Sequence, residues 1–303
     1  MVPDMTGPDM TGPDMAALRD FSADHAALAL NTATLGHNVE GHGAGWSPER
    51  IIDACAARGY GAIAFWRREI GHRAHQIGER ARAAGLEVCG LCRAPFLVGP
   101  LAPGTPAAVV GELDAAIDMA AELRASCLTI CVGGVIEGSH SMRESLKRVA
   151  EFVAEAAPRA ASGGLTLALE PLHPVYGGNR SCLVTTRDAV DMVEAIGHPA
   201  VTVAVDVYHV WWDLDLARQL RRLGGHRIAG YHLCDWLADT ADVLLDRGMM
   251  GDGVADLRHL RAAVEGAGYG GYCEVEIFSA GNWWKRDPAE VLDICVERFR
   301  TVC

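Results

Sequence analysis

The chain has 303 residues, half of them hydrophobic, and its 39 acidic against 27 basic side chains give a formal net charge of −12 at pH 7. This composition is typical of a globular protein with a large core, and the negative charge disfavours nucleic acid as a partner, because phosphate backbones are bound by clustered Lys and Arg. No run of about 18 apolar residues is present to span a membrane, and the N-terminus lacks the features of a signal peptide, so we expect a cytoplasmic protein.

The first segment of the chain, residues 1–16, contains a PDMTG repeat with a period of five residues. Pro recurs too often for a helix and no apolar face is present, so we predict a disordered tail. No linker-like stretch divides the remainder. We therefore predict one domain over residues 17–303.

Apolar, strand-like runs follow, separated by Ala-, Arg- and Glu-rich segments with helical spacing. The eight runs cover residues 27–34, 61–66, 86–92, 127–134, 165–170, 201–206, 227–232 and 272–278. Helical segments include residues 48–60, 106–126 and 288–299. Regular alternation predicts parallel strands, and eight units of about 35 residues suit a single (β/α)8 TIM barrel better than an open sheet. The first strand is not followed by the Gly-rich phosphate loop of a doubly wound sheet, and we expect no nucleotide cofactor.

Side-chain size alternates along the fifth and sixth strands. The large residues are Leu165, Leu167, Leu169, Val201, Val203 and Val205, and the residues between and after them are Thr166, Ala168, Glu170, Thr202, Ala204 and Asp206. Small side chains fill a barrel interior, whereas large ones contact the surrounding helices. Glu170 and Asp206 therefore end inward-facing columns at the carboxyl ends of their strands, where barrels carry their chemistry.

Polar residues end or lie within the last four strands, and they would meet at one rim of the barrel: Glu170, Asp206, His232 and Glu276. Crowded carboxylates at the ends of apolar strands are costly unless a cation pairs them. Oxygen ligands with one imidazole suit Mn²⁺ or Mg²⁺, with Co²⁺, Fe²⁺ or Zn²⁺ as alternatives, so we predict one divalent ion, Mn²⁺ first. Separate caps or salt bridges are the alternative interpretation. Glu274, on the same face as Glu276, is either a deeper supporting acid or the ligand itself.

Several segments resemble the sugar phosphate isomerase/epimerase family, the xylose isomerase-like TIM-barrel superfamily. They are residues 167–174, 203–213, 230–236, 246–257 and 273–279. This group includes ketose 3-epimerases, inosose isomerases and dehydratases, hydroxypyruvate isomerase and endonuclease IV. The similarity spans nearly the whole barrel, and it is specific for the fold and the metal site rather than for the substrate.

The resemblance implies roles for individual residues. The divalent-metal ligands of the family match Glu170, Asp206, His232 and Glu276. The resemblance also makes Glu170 and Glu276 an acid/base pair facing each other across a bound sugar. It places His209 near the substrate and matches Arg247 to an arginine that binds substrate oxygens. This chain has no convincing full set of the additional His and acid ligands of endonuclease IV, which disfavours a role in DNA repair.

Other residues are candidates for contact with substrate on their position alone. Trp66 is one of six Trp residues that follow strands on the expected catalytic rim, and aromatic walls stack on sugar faces. His173 follows the fifth strand, and Asp235 would orient a ligand or bind a substrate hydroxyl. The C-x-x-C formed by Cys89 and Cys92 lacks a second pair at zinc-site spacing, so we interpret the cysteines as reduced, small hydrophobic residues.

These features together predict an enzyme acting on a small-molecule keto-sugar or cyclitol. A metal ion at the rim would polarise a carbonyl and its neighbouring hydroxyl and stabilise an enediolate. Proton return to the opposite face gives epimerisation, and return to the neighbouring carbon gives isomerisation. A lyase on the same site, by dehydration or β-elimination of an aglycone from a keto-glycoside, and a non-catalytic sugar-binding barrel are the alternatives. No Arg or Lys cluster on the rim loops indicates phosphate recognition. A homo-oligomer is compatible with the sequence.

Overall fold

The protein is a closed barrel of eight parallel strands. The computed structural model describes residues 18–303, and the predicted tail over residues 1–16 lies outside the described residues. The strands pair in chain order, and the first pairs with the last. They are β1 (Leu28–Asn31), β2 (Ala62–Trp66), β3 (Glu87–Cys92), β4 (Cys127–Ile130), β5 (Thr166–Leu169), β6 (Val201–Asp206), β7 (Ile228–Leu233) and β8 (Cys273–Val275). The predicted (β/α)8 TIM barrel is confirmed.

Helices follow every strand. They are α1 (Pro48–Ala56), α2 (Arg67–Ile70), α3 (Ala74–Ala83), α4 (Pro106–Leu123), α5 (Met142–Ser162), α6 (Thr186–Ile196), α7 (Val207–Val210), α8 (Leu216–Leu223), α9 (Leu257–Gly266) and α10 (Pro288–Thr301). A polar cap followed by Pro starts α1: the Ser47 hydroxyl accepts a hydrogen bond from the Arg50 N–H over 3.3 Å, and Pro48 is the first helical residue. None of the described helices combines the length and the apolar character that crossing a membrane requires.

Large and small side chains separate to the two faces of the sheet, as the alternation predicts. The large residues of β5 and β6 pack with the helices in the main core. The interior of the barrel holds two clusters of small residues, formed by Ala29, Ala62, Ala64 and Cys89 and by Cys127, Ala168 and Ala204. All ten cysteines are free and nine are buried, in agreement with their interpretation as small hydrophobic residues.

Strand ends differ most from the prediction in β1, β4 and β8, which end three or four residues early, while β5 ends one residue early at Leu169 and β7 one residue late at Leu233. The predicted run 27–34 ends at Asn31, because the Asn31 carboxamide oxygen accepts a hydrogen bond from the Ala33 N–H over 3.0 Å and a short 3-10 helix follows. β8 ends at Val275, and the next residue, Glu276, lies in irregular chain. The short strands leave polar side chains at the carboxyl-end rim.

Candidate metal centre and substrate cavity

Side chains from four neighbouring strands converge at the carboxyl end of the barrel. Asp206 is the last residue of β6 and pairs with His232 of β7, while Glu170 and Glu276 follow the last residues of β5 and β8. One potential ligand atom from each of these residues lies within 4.8 Å of the others, and all four are buried. The closed barrel thus brings together the residues that the sequence analysis proposed as metal ligands.

The chemistry of this cluster fits a divalent cation. His232 Nδ1 lies 3.2 Å from Glu170 Oε1 and 3.9 Å from Glu276 Oε2. Although both are buried, His232 Nδ1 and Glu170 Oε1 have no hydrogen-bond partner among the described residues. Buried polar atoms are normally satisfied, so unpartnered atoms facing each other indicate a missing partner. Carboxylate oxygens with one imidazole nitrogen form a donor set that divalent ions accept.

Ionisation differs between the acids and bases of the cluster. Burial raises the pKa of Glu276 to about 8, even though Arg247 and His232 oppose this shift. Burial also favours the neutral form of Glu170. The neighbouring His232 imidazole opposes this effect, and the pKa of the Glu170 carboxyl is held below its usual value. Burial lowers the pKa of His209 to about 4, so its imidazole is neutral at pH 7. His209 Nδ1 accepts a hydrogen bond from the His173 N–H over 3.2 Å, which assigns the ring proton to Nε2.

Glu274 lies deeper in the barrel than the four converging side chains. Its Oε1 is 3.8 Å from His232 Nε2, the ring nitrogen on the side away from Glu170. The Asn31 amide nitrogen donates to Glu274 Oε1 over 2.6 Å and to Glu276 Oε1 over 3.0 Å. Of the two roles considered for Glu274, this position favours the supporting acid. Asn31 is not among the predicted site residues, although it ends β1 just as Asp206 ends β6.

Arg247 contacts the carboxylates of the cluster directly. Its Nη1 donates to Asp206 Oδ2 over 2.9 Å and lies 3.3 Å from Glu276 Oε2. Its guanidinium packs between the rings of Tyr208 and Phe278, at 4.4 and 4.2 Å from their centroids. The buried guanidinium therefore offsets part of the negative charge collected at this end of the barrel.

A small cavity of about 60 Å³ adjoins the cluster. Of the predicted site residues, Glu170, Glu276, His209, Arg247 and Trp66 line it. Trp66 is fixed by its indole nitrogen, which donates to the Asn31 carboxamide oxygen over 2.8 Å. Further lining residues that the sequence analysis missed include Arg93, Phe96, Cys131, Arg180 and Phe278. They lie at or beyond strand ends, and the sequence pattern does not reveal which loop side chains turn toward the barrel axis.

Two residues predicted to contact the substrate, His173 and Asp235, do not line this cavity. The His173 ring stacks on Trp236 with the ring centroids 4.6 Å apart. The Asp235 carboxylate accepts hydrogen bonds from the main-chain N–H groups of Trp236, Gly251 and Ala255 over 2.8 to 3.0 Å. These bonds organise the loop after β7. A role for His173 or Asp235 in binding substrate stays a prediction.

Comparisons with known proteins agree on the kind of barrel. A family model for xylose isomerase-like TIM barrels matches residues 52–295. No curated protein matches the chain. Among solved structures, protein SMc04130 from Sinorhizobium meliloti 1021 is 44% identical, with a TM-score of 0.84 over 91% of this chain and 98% of that chain.

Two structures of lower identity share the fold. An IOLI protein with a bound zinc atom is 18% identical, with a TM-score of 0.74 over 91% of this chain and 97% of that one. The 3-keto-D-glucoside 4-epimerase YcjR from E. coli is 16% identical, with a TM-score of 0.70 over 91% of this chain and 99% of that one. At this level of identity, the likeness is one of architecture.

Proposed function

The chain belongs to the xylose isomerase-like TIM barrel family, and from this premise we propose that it is a divalent-metal-dependent isomerase or epimerase of a keto-sugar or cyclitol. The observation that carries the proposal is the convergence of Glu170, Asp206, His232 and Glu276 beside a cavity at the carboxyl end of the barrel. Two structural neighbours support it, since one is a keto-glucoside epimerase and the other holds zinc.

These four side chains are the proposed ligands of the metal ion. When bound, the cation would polarise the carbonyl of the substrate and acidify the adjacent C–H. The oxygen-rich donor set favours Mn²⁺, and the zinc atom of the IOLI neighbour makes Zn²⁺ the first alternative. Glu274 and Asn31 would keep His232 and Glu276 oriented through the contacts described above.

Glu170 and Glu276 are the proposed acid/base pair. They approach the cavity from β5 and β8, with β6 and β7 between them, and both line it. One carboxylate would remove the proton next to the carbonyl, giving an enediolate, and the other would return a proton from the opposite face. Arg247 and the Nε2–H of neutral His209 would donate to substrate oxygens, and Trp66 would offer an apolar ring face to the sugar.

Isotope exchange tests this function. The Mn²⁺-loaded protein is incubated in D₂O with a panel of keto-pentoses, keto-hexoses and inososes, and the products are analysed by mass spectrometry and NMR. We expect deuterium incorporation at the carbon next to the carbonyl with the mass otherwise conserved. Glu170→Gln and Glu276→Gln should each slow it by about 10² to 10⁴-fold, the usual contribution of a positioned acid or base.

Glu297→Gln is the matched control, because this exposed glutamate lies on α10, away from the cavity. It should exchange at the rate of the unmodified protein. Loss of water or of an aglycone, without exchange into a retained sugar, would show a lyase instead. Exchange at an unchanged rate in both glutamine variants would refute the acid/base assignment.

A further inference from the structure

A second cavity adjoins the one beside the candidate metal centre. Its volume is about 480 Å³. The two cavities share the side chains of Trp66, Cys92, Arg93 and Phe96. The larger cavity adds Arg67 and Arg68 to its wall, and Glu112 is the one acid among the described residues that line it. A positively charged cavity is unexpected in a chain with a net charge of −12.

The arginines of this cavity have few protein partners. Arg67 Nη1 donates to the main-chain oxygen of Arg93 over 3.5 Å, while the buried Arg67 Nε has no hydrogen-bond partner among the described residues. Arg93 Nη1 donates to the Ala94 oxygen over 3.0 Å, and its guanidinium lies 3.8 Å from the centroid of the Phe96 ring. Within residues 18–303, no carboxylate forms an ion pair with Arg67, Arg68 or Arg93.

Two partly buried guanidiniums side by side are unfavourable without a counter-charge. Burial lowers the pKa of Arg67; the charge of Glu112 opposes this shift, whereas the charge of Arg93 adds to it. Glu112 is exposed and does not pair with either of them. An anion in the cavity would supply both the missing charge and acceptors for free N–H groups, because guanidiniums bind carboxylates and phosphates through paired N–H donors.

We propose that this cavity binds an anionic group of the substrate, a carboxylate or a phosphate monoester, while the carbonyl end of the same molecule lies in the small cavity. The inference rests on the proposed function, because it places two ends of one keto-sugar or cyclitol derivative in adjoining cavities. The shared wall is tied to the metal centre: the Trp66 indole donates to Asn31, which donates to Glu276. This cluster corrects the expectation that the rim loops carry no cluster of Arg or Lys. Arg67 and Arg68 follow β2 whereas Arg93 follows β3, so their proximity is not visible in the sequence.

Direct anion binding to the metal-stripped protein tests the inference without turnover. Inorganic phosphate and acetate are titrated at constant ionic strength, with chloride as the reference anion, and affinity is measured by calorimetry. The variant is R67Q/R93Q. The control is R221Q/R258Q, which also removes two positive charges, from exposed positions on α8 and α9. We expect phosphate or acetate to bind the unmodified protein and R221Q/R258Q at least about tenfold more tightly than R67Q/R93Q, given the strength of charge-assisted hydrogen bonds.

Each outcome bears on the proposal. Tighter binding of phosphate than of acetate assigns the group as a phosphate monoester, and the reverse assigns a carboxylate. Failure of both anions to bind the unmodified protein, or equal binding by R67Q/R93Q, would overturn the inference. If the double variant does not fold, R93Q alone should show the same loss in smaller measure. The exchange panel is extended to carboxylated and phosphorylated keto-sugars and inososes. Arg-dependent anion binding without deuterium exchange on any neutral or anionic member of this panel would refute the proposed function alone, and exchange without anion binding would refute the subsite alone.

Discussion

Glu274 is a buried acid whose effect on the proposed metal centre would act through a histidine. Its carboxylate faces Nε2 of His232, while Nδ1 of the same ring faces Glu170. A carboxylate on the far nitrogen of a metal-binding imidazole fixes the orientation of the ring and raises its basicity. At 3.8 Å the contact is longer than a hydrogen bond, so the interaction in this geometry is electrostatic.

Glu274→Gln should weaken Mn²⁺ binding while the barrel stays folded. The substitution removes the negative charge behind His232 and preserves the shape of the side chain. We expect about a 10 to 100-fold loss of affinity, the usual effect of removing such a partner. Calorimetric titration of the metal-stripped protein measures it. Glu297→Gln should bind Mn²⁺ normally, and an affinity for Glu274→Gln equal to that of this control would show that the acid has no supporting role.

Strand β7 carries a glycine that leaves room for the imidazole of His232. Gly230 and His232 lie on the same face of the strand, and a Cβ atom at position 230 would come within 2.9 Å of His232 Nε2. That separation is too short for unbonded atoms, so the ring would have to move. The strand therefore admits a histidine in this orientation because the position two residues earlier has no side chain.

Gly230→Ala should lower metal affinity by about tenfold or more, because a displaced His232 ring loses its alignment with the other proposed ligands. Gly111→Ala is the matched control, since Gly111 lies on an exposed part of α4 and an added methyl group there would have nothing within 4 Å. It should leave metal affinity unchanged and raise the free energy of unfolding by about 0.5 to 1 kcal/mol, as Ala does in a helix. Metal titrations and denaturant unfolding of both variants check the pair, and normal Mn²⁺ binding by Gly230→Ala would contradict the argument.

Sequence patterns predict elements well where one local rule governs them. Alternating residue size in β5 and β6 correctly assigns the inner and outer faces, because period-two alternation is a property of each strand alone. The end of β1 is not predicted, because it depends on a hydrogen bond from the Ala33 N–H to the side chain of Asn31. The arginines beyond β2 and β3 are missed for a related reason: their meeting depends on how two loops fold over the rim.

Closure of the barrel assembles the candidate site from residues far apart in the chain. The proposed ligands come from β5 to β8, and the supporting Asn31 reaches Glu274 and Glu276 across the seam where β1 pairs with β8. Four acids are buried at this end of the barrel: Glu170, Asp206, Glu274 and Glu276. Arg247 contacts two of these acids, Asp206 and Glu276. Residual repulsion among the acids opposes folding of the metal-free protein, and a bound cation would relieve it.

Metal binding should therefore stabilise the whole molecule. At a free Mn²⁺ concentration 100 times the Kd, binding to the native state adds about 2.7 kcal/mol to the free energy of unfolding. For a domain of this size, that corresponds to a rise in Tm of roughly 5 °C. Differential scanning calorimetry of the stripped protein with increasing Mn²⁺ measures the rise. In Glu276→Gln/His232→Ala two proposed ligands are lost, and we expect neither stoichiometric metal nor a shift in Tm. Full metal occupancy in that double variant would refute the ligand assignment, because ions would then be held elsewhere in the protein.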